Sequence, residues 1–508
     1  MPIRPGRCTN FGNCGTADKK EIVQVPEGSD FNCPECARPL TDMSAPTKRP
    51  SSLVTLLLVL LVLVIAGIGV WYFISKPSTT TSGTAKTATG ATVFLRLAGS
   101  NTIGSKLAPA LAEAFLRQKG ATDVKVTPGE KADEEIVQAT LPGIGPVVVQ
   151  IAAHGSATAF DGLANGSTDI GMASRKIKSE EASKLSSLGD MTSFSNEHVL
   201  GLDGIAVIVH RSNPVRFLSK DQLAAIFSGQ TSDWSGVMSG LHGSINVYAR
   251  DDKSGTYDTF KSLVLTGAPL TTNAKRFEDS NALADAVAND INGIGFVGLP
   301  YVRGAKAIAV SEKGAIPLQP NHFTVATEDY PLSRRLYFYT PANSQNPNVR
   351  DFLDFALSKS GQDVVGQIGF IAQNVVPQNQ SLPEGAPADY VRVTNGAERL
   401  SLNFRFRTGS SELDNKALVD LDRVVTFLSD LKYSGDKVML FGFADSTGTR
   451  PINMALSQRR ADAVDSQFQQ RGVKPAVSKG FGPDLPVASN DTPDGREKNR
   501  RVEIWLKK

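Results

Sequence analysis

Three short runs of the chain combine glycine with small hydroxyl side chains: Gly99-Ser100-Asn101-Thr102-Ile103-Gly104-Ser105-Lys106, Gly155-Ser156-Ala157-Thr158 and Ser254-Gly255-Thr256. Each stands before an apolar pattern of helical period. In such a turn the first backbone N–H groups of the helix have no intrahelical partner, so they and the hydroxyls are free to meet an anion. Arg250, four residues before Ser254, adds a forked positive charge suited to an oxyanion. The first run nearly reproduces a nucleotide P-loop. Its Ser105 and Lys106 are transposed relative to the Gly-Lys-Ser/Thr ending, so the lysine cannot take its usual place and ATP hydrolysis is not expected. Ser and Thr also cap ordinary helices; it is the recurrence together with an arginine that points to a cradle for a small oxyanion.

A second group of residues suits a metal. The only cysteines are Cys8, Cys14, Cys33 and Cys36, spaced C-x5-C and C-x2-C. Two short cysteine loops can converge four thiolates on one tetrahedral zinc, with the first loop wider than usual, and a structural zinc in a ribbon over residues 1–50 is the reading taken. Two disulfides, or unliganded thiols, are the alternatives for the same residues. The five histidines, His154, His198, His210, His242 and His322, are scattered singly, and no nucleophile elbow is visible. An enzyme is not expected, and only His154, beside the second turn, is close to candidate chemistry.

The elements that would position these groups follow from composition and pattern. With Lys+Arg 54 against Asp+Glu 51 the net charge is only +3, too small for a protein that coats nucleic acid. The apolar run over residues 53–74 spans roughly 33 Å as a helix, enough for a bilayer. Lys48 and Arg49 before it put the N-terminus in the cytoplasm, and Trp71 and Tyr72 suit the far interface. That topology implies a reducing compartment for the cysteines. Residues 75–92, rich in Ser, Thr and Gly, read as a flexible linker, and residues 377–397 as a second one. Between them, residues 93–376 alternate short apolar runs with helical patterns, as an α/β domain does. They open with a strand from Val93 to Leu97 and a helix carrying Leu107, Leu111 and Phe115 on one stripe. Residues 398–508 begin with a strand from Leu400 to Phe406. A helix with Leu418, Leu421, Val425 and Leu428 on one face follows, then a strand from Val438 to Phe443 and a second helix with Asn453 and Arg460 seven residues apart on one face.

The middle region resembles the periplasmic phosphate-binding proteins of ABC transporters across nearly all of residues 93–376. The resemblance is carried by Gly201-Leu202-Asp203-Gly204-Ile205-Ala206-Val207, Asn213-Pro214-Val215, Ile226-Phe227-Ser228-Gly229, Asp233-Trp234, Gly293-Ile294-Gly295-Phe296-Val297-Gly298 and Tyr330-Pro331-Leu332-Ser333-Arg334-Arg335-Leu336-Tyr337. It implies a two-lobed α/β fold of type II, with the ligand clamped in the cleft. Carried over by position, it implies anion contacts from Ser100, Thr102 and Ile103, from Gly155 and Ser156, and from Arg250, Ser254, Gly255 and Thr256. Some relatives place an acidic residue after the strand that ends Asp169-Ile170-Gly171; Ser174-Arg175 stands there, with Asp203 as the alternative acceptor. A carboxylate accepts from a protonated anion and repels a fully ionised one, so its loss leaves phosphate and sulfate less sharply distinguished.

The last region resembles the OmpA-like peptidoglycan-binding domain over its full length, an α+β fold. The residues are Gly442-Phe443-Ala444-Asp445-Ser446, Asn453, Leu456-Ser457-Gln458-Arg459-Arg460-Ala461 and Asn499-Arg500-Arg501-Val502-Glu503. In that family an aspartate and an arginine grip the zwitterionic end of diaminopimelate in the peptide stem, and Asp445 and Arg460 match them, with Asn453 and Arg500 completing the pocket. Phe443-Ala444 replaces the family's usual His-Thr. The chain therefore reads as multidomain α/β. It would be a single-pass protein of the bacterial inner membrane with its main domains in the periplasm, binding phosphate or a similar oxyanion for an ABC permease or a membrane sensor. It would hold peptidoglycan and bind no nucleic acid. The alternative is a structural envelope tether whose phosphate-binding fold has become a protein-contact module.

Overall fold

The computed structural model describes residues 3–8, 21–26, 30–34, 39–42, 90–252, 254–382, 385–406 and 412–508. The chain divides into two compact units, Met1–Thr84 with Thr408–Ser410, and Ala85–Arg407 with Ser411–Lys508. In the first, strand Ile3–Arg7 pairs antiparallel with Ile22–Pro26 on one side and Thr41–Asp42 on the other. Cys8 and Cys33 are buried together with Val25 and Leu40. Cys14, Cys36 and the expected membrane span at 53–74 lie outside the described residues. Among the described residues no helix is long and apolar enough to cross a membrane, and no group of metal-ligating side chains is assembled.

The second unit contains both larger domains. Its main sheet has eleven strands among the described residues, and one strand organises it. Glu197–Val209 is thirteen residues long and buried almost throughout. Its first half pairs with Ser333–Tyr339, from Glu197↔Tyr339 to Gly204↔Ser333. Its second half, Ile205 to Val209, pairs instead with Gly293–Gly298. The chain thus crosses from one lobe to the other at Gly204 and Ile205. In the first lobe, Thr92–Gly99 lies between Gly145–Ala152 and Ile170–Ala173, parallel to both. In the second, Asn246–Arg250 lies parallel between Lys275–Phe277 and Gly293–Gly298. Separate apolar cores fill the lobes, one around Leu111, Phe115 and Phe352, the other around Phe227, Phe260 and Phe296. This is the two-lobed arrangement expected. Helix Leu107–Gln118 buries Leu107, Leu111 and Phe115, the stripe read from the sequence.

In the C-terminal domain the strand order is Pro377–Gln378, Glu398–Arg405, Arg501–Leu506, Val438–Gly442 and Val477–Gly480. Two expectations change here. Helix Asn415–Asp430 buries Ala417, Leu421, Val424 and Leu428, whereas Leu418 and Val425 are only partly buried. Leu421 and Leu428 are buried as expected, while Ala417 and Val424 take the buried places expected one position later for Leu418 and Val425. Within residues 377–397, read as a linker, two segments belong to the fold of the C-terminal domain. Pro377–Gln378 pairs with the first strand of the domain, and Ala388–Thr394 is a helix. Its Tyr390 is buried against Phe441, Phe443, Phe481 and Trp505 and donates its hydroxyl to Glu503 Oε2 at 2.6 Å. One buried aromatic with a satisfied hydroxyl outweighs a polar average.

Candidate functional site

The first two turns are tied to each other. Gly155 N donates to Gly99 O at 2.7 Å, and Ser100 N to Met172 O at 2.8 Å. Gly155 has φ +100°, a conformation that glycine alone adopts readily, and it opens helix Ser156–Ala164. Ser100, 1% exposed, opens the short helix Asn101–Gly104, and its buried hydroxyl has no hydrogen-bond partner. A buried hydroxyl without a partner is costly unless something else completes it. The third turn comes from the other lobe: Ser254 Oγ accepts from Tyr257 N and opens helix Gly255–Phe260. Gly255 packs so closely on Thr102 that a Cβ there would lie 1.9 Å from Thr102 Oγ1. The cleft is therefore closed at this point, and only glycine fits.

A cavity of about 700 Å³ opens beside this contact, lined by Thr102, Arg250, Ser254, Gly255 and Thr256 among others. Ser100, Ile103, Gly155 and Ser156 do not line it. Ser156 Oγ instead accepts from Ser174 N at 3.1 Å. Arg250 lines the cavity, but Nε donates to Phe277 O at 3.2 Å, Nη2 to Glu278 O at 2.6 Å and Nη1 to Ser280 Oγ. Burial holds its guanidinium below the usual value. Asp133, Glu134, Glu135, Asp203, Asp251, Glu278 and Asp279 also line the space, so its walls carry more carboxylates than cations. An anion held here depends on hydrogen bonds from the turns rather than on net charge.

Arg175, in the place of the relatives' acid, is paired bidentately with Glu181 at 2.8 and 2.7 Å. Asp203 is paired with Arg334, whose Nε and Nη2 reach Oδ2 at 3.1 and 2.9 Å. His154 Nε2 lies 3.1 Å from Glu134 Oε1 at the rim and holds that carboxylate below its ordinary range. Arg334 itself escaped the reading of the sequence as a site residue. It donates to Thr102 Oγ1 in one lobe at 2.8 Å and to Gly255 O in the other at 3.1 Å, and is anchored by Asp203 on the crossing strand. Two consecutive arginines on a strand must face opposite ways, and that alternation was the available signal.

In the C-terminal domain, strand Val438–Gly442 delivers Asp445 and helix Arg450–Gln470 delivers Asn453 and Arg460, all three at most 7% exposed. Asp445 accepts from Thr447 N at 2.8 Å and from Arg500 Nη1 at 3.0 Å. Arg460 lies over the Phe406 ring and donates to Phe443 O at 3.4 Å. Burial, then the nearby Arg500, pulls it down to about 10. Nε of both Arg460 and Arg500 is buried without a partner. One carboxylate between two arginines leaves a positive excess, which suits a ligand carrying a carboxylate. Asn499 was quoted in the family motif without a role. It accepts from Val487 N and Ala488 N at 2.9 and 3.0 Å, fixing the loop beside the pocket. Phe443 lies under the guanidinium of Arg501, 4.0 Å from ring centre to charge.

Comparison with known proteins places a PBP superfamily domain at residues 75–360 and an OmpA family domain at 405–500. The phosphate-binding protein PstS of Pseudomonas aeruginosa is 32% identical over 248 residues, 44% of this chain and 74% of that protein. PstS of Staphylococcus aureus is 30% identical over 295 residues, 56% of this chain and 86% of the relative. Among solved structures, an ABC-type phosphate transport receptor from Vibrio cholerae is 24% identical with a TM-score of 0.43, covering 55% of this chain and 99% of that one.

Proposed function

The chain belongs to the PBP superfamily, with an OmpA family domain behind it, and from that premise we propose that it is a phosphate-type oxyanion receptor attached to peptidoglycan. The observation that carries the reading is the meeting of Thr102 and Gly255 from opposite lobes, bridged by Arg334, at the mouth of a cavity that Arg250 and the Ser254–Thr256 turn also line. Backbone N–H groups and hydroxyls of these turns hold the anion. The relatives' names, phosphate-binding proteins, support phosphate as the first ligand to try and binding rather than catalysis as the activity. Calorimetry of the full chain against phosphate, sulfate and arsenate tests it. Saturable heat from phosphate or arsenate is expected, and heat from none of the three would leave the cleft without an anion.

In the same reading Asp445, Asn453, Arg460 and Arg500 take the diaminopimelate end of a peptide stem, the carboxylate facing the ammonium and the arginines the carboxyl group. Residues 53–74 anchor the chain in the inner membrane, with the N-terminus cytoplasmic and the large domains in the periplasm. Cys8, Cys14, Cys33 and Cys36 hold a structural zinc. An ABC permease or membrane sensor receives the anion signal. A second reading, an envelope tether with the receptor fold as a protein-contact module, is favoured by one feature: three of the five N–H donors of Arg250 are already taken up by Phe277, Glu278 and Ser280.

A further inference from the structure

The C-terminal domain does not hang from the receptor; it lies across the receptor's hinge. Towards the first lobe, Asn415 Nδ2 donates to Thr192 O at 2.9 Å and Glu197 Oε1 at 3.1 Å, Arg423 to Gln373 Oε1 at 3.0 Å, and Glu497 pairs with Lys176 at 2.9 Å. Towards the second lobe, Ser489 N donates to Glu312 Oε2 at 2.8 Å and Asn403 Nδ2 to Thr327 O at 2.8 Å. At the crossing segments themselves, Lys498 Nζ donates to Tyr330 O at 3.1 Å, while Tyr330 Oη donates to Ile205 O at 2.8 Å, the residue where the long strand changes lobes. Arg335 pairs with Asp414 at 2.7 Å. Two-lobed receptors engage ligands by rotating one lobe against the other about such segments. Here one domain grips both sides of the axis, so a rotation strains or breaks one set of contacts.

The same contacts reach both candidate ligand sites. Arg335 faces the C-terminal domain, and its neighbour Arg334, on the opposite face of the strand, bridges Thr102 and Gly255 in the anion cleft. Lys498 is two residues from Arg500, which holds Asp445 in the other pocket. We infer that the C-terminal domain is a brace that holds the receptor's lobes closed, and that occupancy of the anion cleft and of the peptidoglycan pocket are thermodynamically coupled through the hinge. The inference rests on the proposed reading of both sites. The element through which each site would bias the other is the interlobe angle, set by the crossing strand that both domains hold.

The test uses the full chain, inorganic phosphate and a soluble muropeptide ending in diaminopimelate. The Kd for phosphate is measured with and without saturating muropeptide, and the reverse. Coupling requires both constants to change by one common factor, expected to be about 5-fold or more. The double variant Asn415→Ala, Lys498→Met removes a brace contact to the first lobe and one to the crossing segment, at residues that line neither pocket; its factor is expected to be smaller than the parent's, with weaker phosphate binding. If both ligands bind the unaltered chain and neither moves the other's Kd, the inference alone is overturned. If either ligand fails to bind at all, the functional reading and the inference fall together.

Discussion

At the scale of single residues, the C-terminal pocket keeps a charge that the fold would be better without. Arg460 is 6% exposed, its Nε has no partner, and burial pulls its ionisation from the ordinary arginine range down to about 10. A drop of that size corresponds to about 3 kcal/mol against the charged form. Arg460→Met is therefore expected to leave the melting temperature unchanged or raise it, while removing most co-sedimentation with purified sacculi. Arg460→Lys keeps the charge but loses the fork, and Asp445→Asn keeps the shape but loses the charge. Each is expected to lower sacculus binding about thirty-fold, the equivalent of about 2 kcal/mol. A variant that binds like the parent would make Asp445, Arg460 and Arg500 a structural cluster only. Asn453 and Arg460 were legible as neighbours because seven positions on a helix return to one face, whereas Asp445 and Arg500 were reached only through the resemblance to the OmpA-like domain. Arg334 was not: its partners, Thr102, Asp203 and Gly255, lie far from it in sequence and come from both lobes and the strand between them.

At the scale of elements, acid should undo the crossing strands and the domain junction in two stages. His198, on the crossing strand, is pulled by burial to about 4 from an ordinary 6.5. Its neutral form is the folded one, so its contribution is complete above pH 6.5 and is lost as pH falls towards 4. Glu328, buried among Arg335, Arg405 and Lys416, is held at about 2 against an ordinary 4.5. Its contribution is present above pH 4.5 and is lost as pH falls towards 2. Denaturant midpoints measured from pH 7 to pH 3 are expected to decline in both windows, and His198→Gln to flatten the upper one alone. A flat profile from 7 to 4.5 in the parent would contradict the buried neutral imidazole. Apolar periodicity made the helices legible, with the phase error at Leu418 and Val425 arising because Ala417 counts as core only once the sheet above it is known. The junction was not legible. Polar residues such as Asn403, Asn415 and Lys416 read as solvent-facing until a second domain covers them.

At the scale of the whole molecule, a polar junction this dry makes the two large domains one thermodynamic object. Arg399, Arg405, Asp329 and Arg335 are each at most 11% exposed at the side chain and find their partners across or beside the junction. Removing one side of a buried ion pair typically costs 3–5 kcal/mol, because the remaining charge stays out of water without its partner. Scanning calorimetry of the full chain should therefore show a single cooperative transition for residues 85–508, with the calorimetric and van't Hoff enthalpies equal for that peak. Truncation after residue 376 would expose Glu328, Asp329 and Arg335 and is expected to lower the receptor's melting temperature. The N-terminal unit, Met1–Thr84, is a separate compact body and should behave differently. If four thiolates hold zinc there, the metal supplies most of that small module's folding free energy. A strong chelator should then abolish its transition while leaving the large peak in place, and metal analysis should return one zinc per chain. Two resolved peaks within residues 85–508 would show the domains folding independently, and an unchanged small transition without zinc would leave the cysteines to another chemistry.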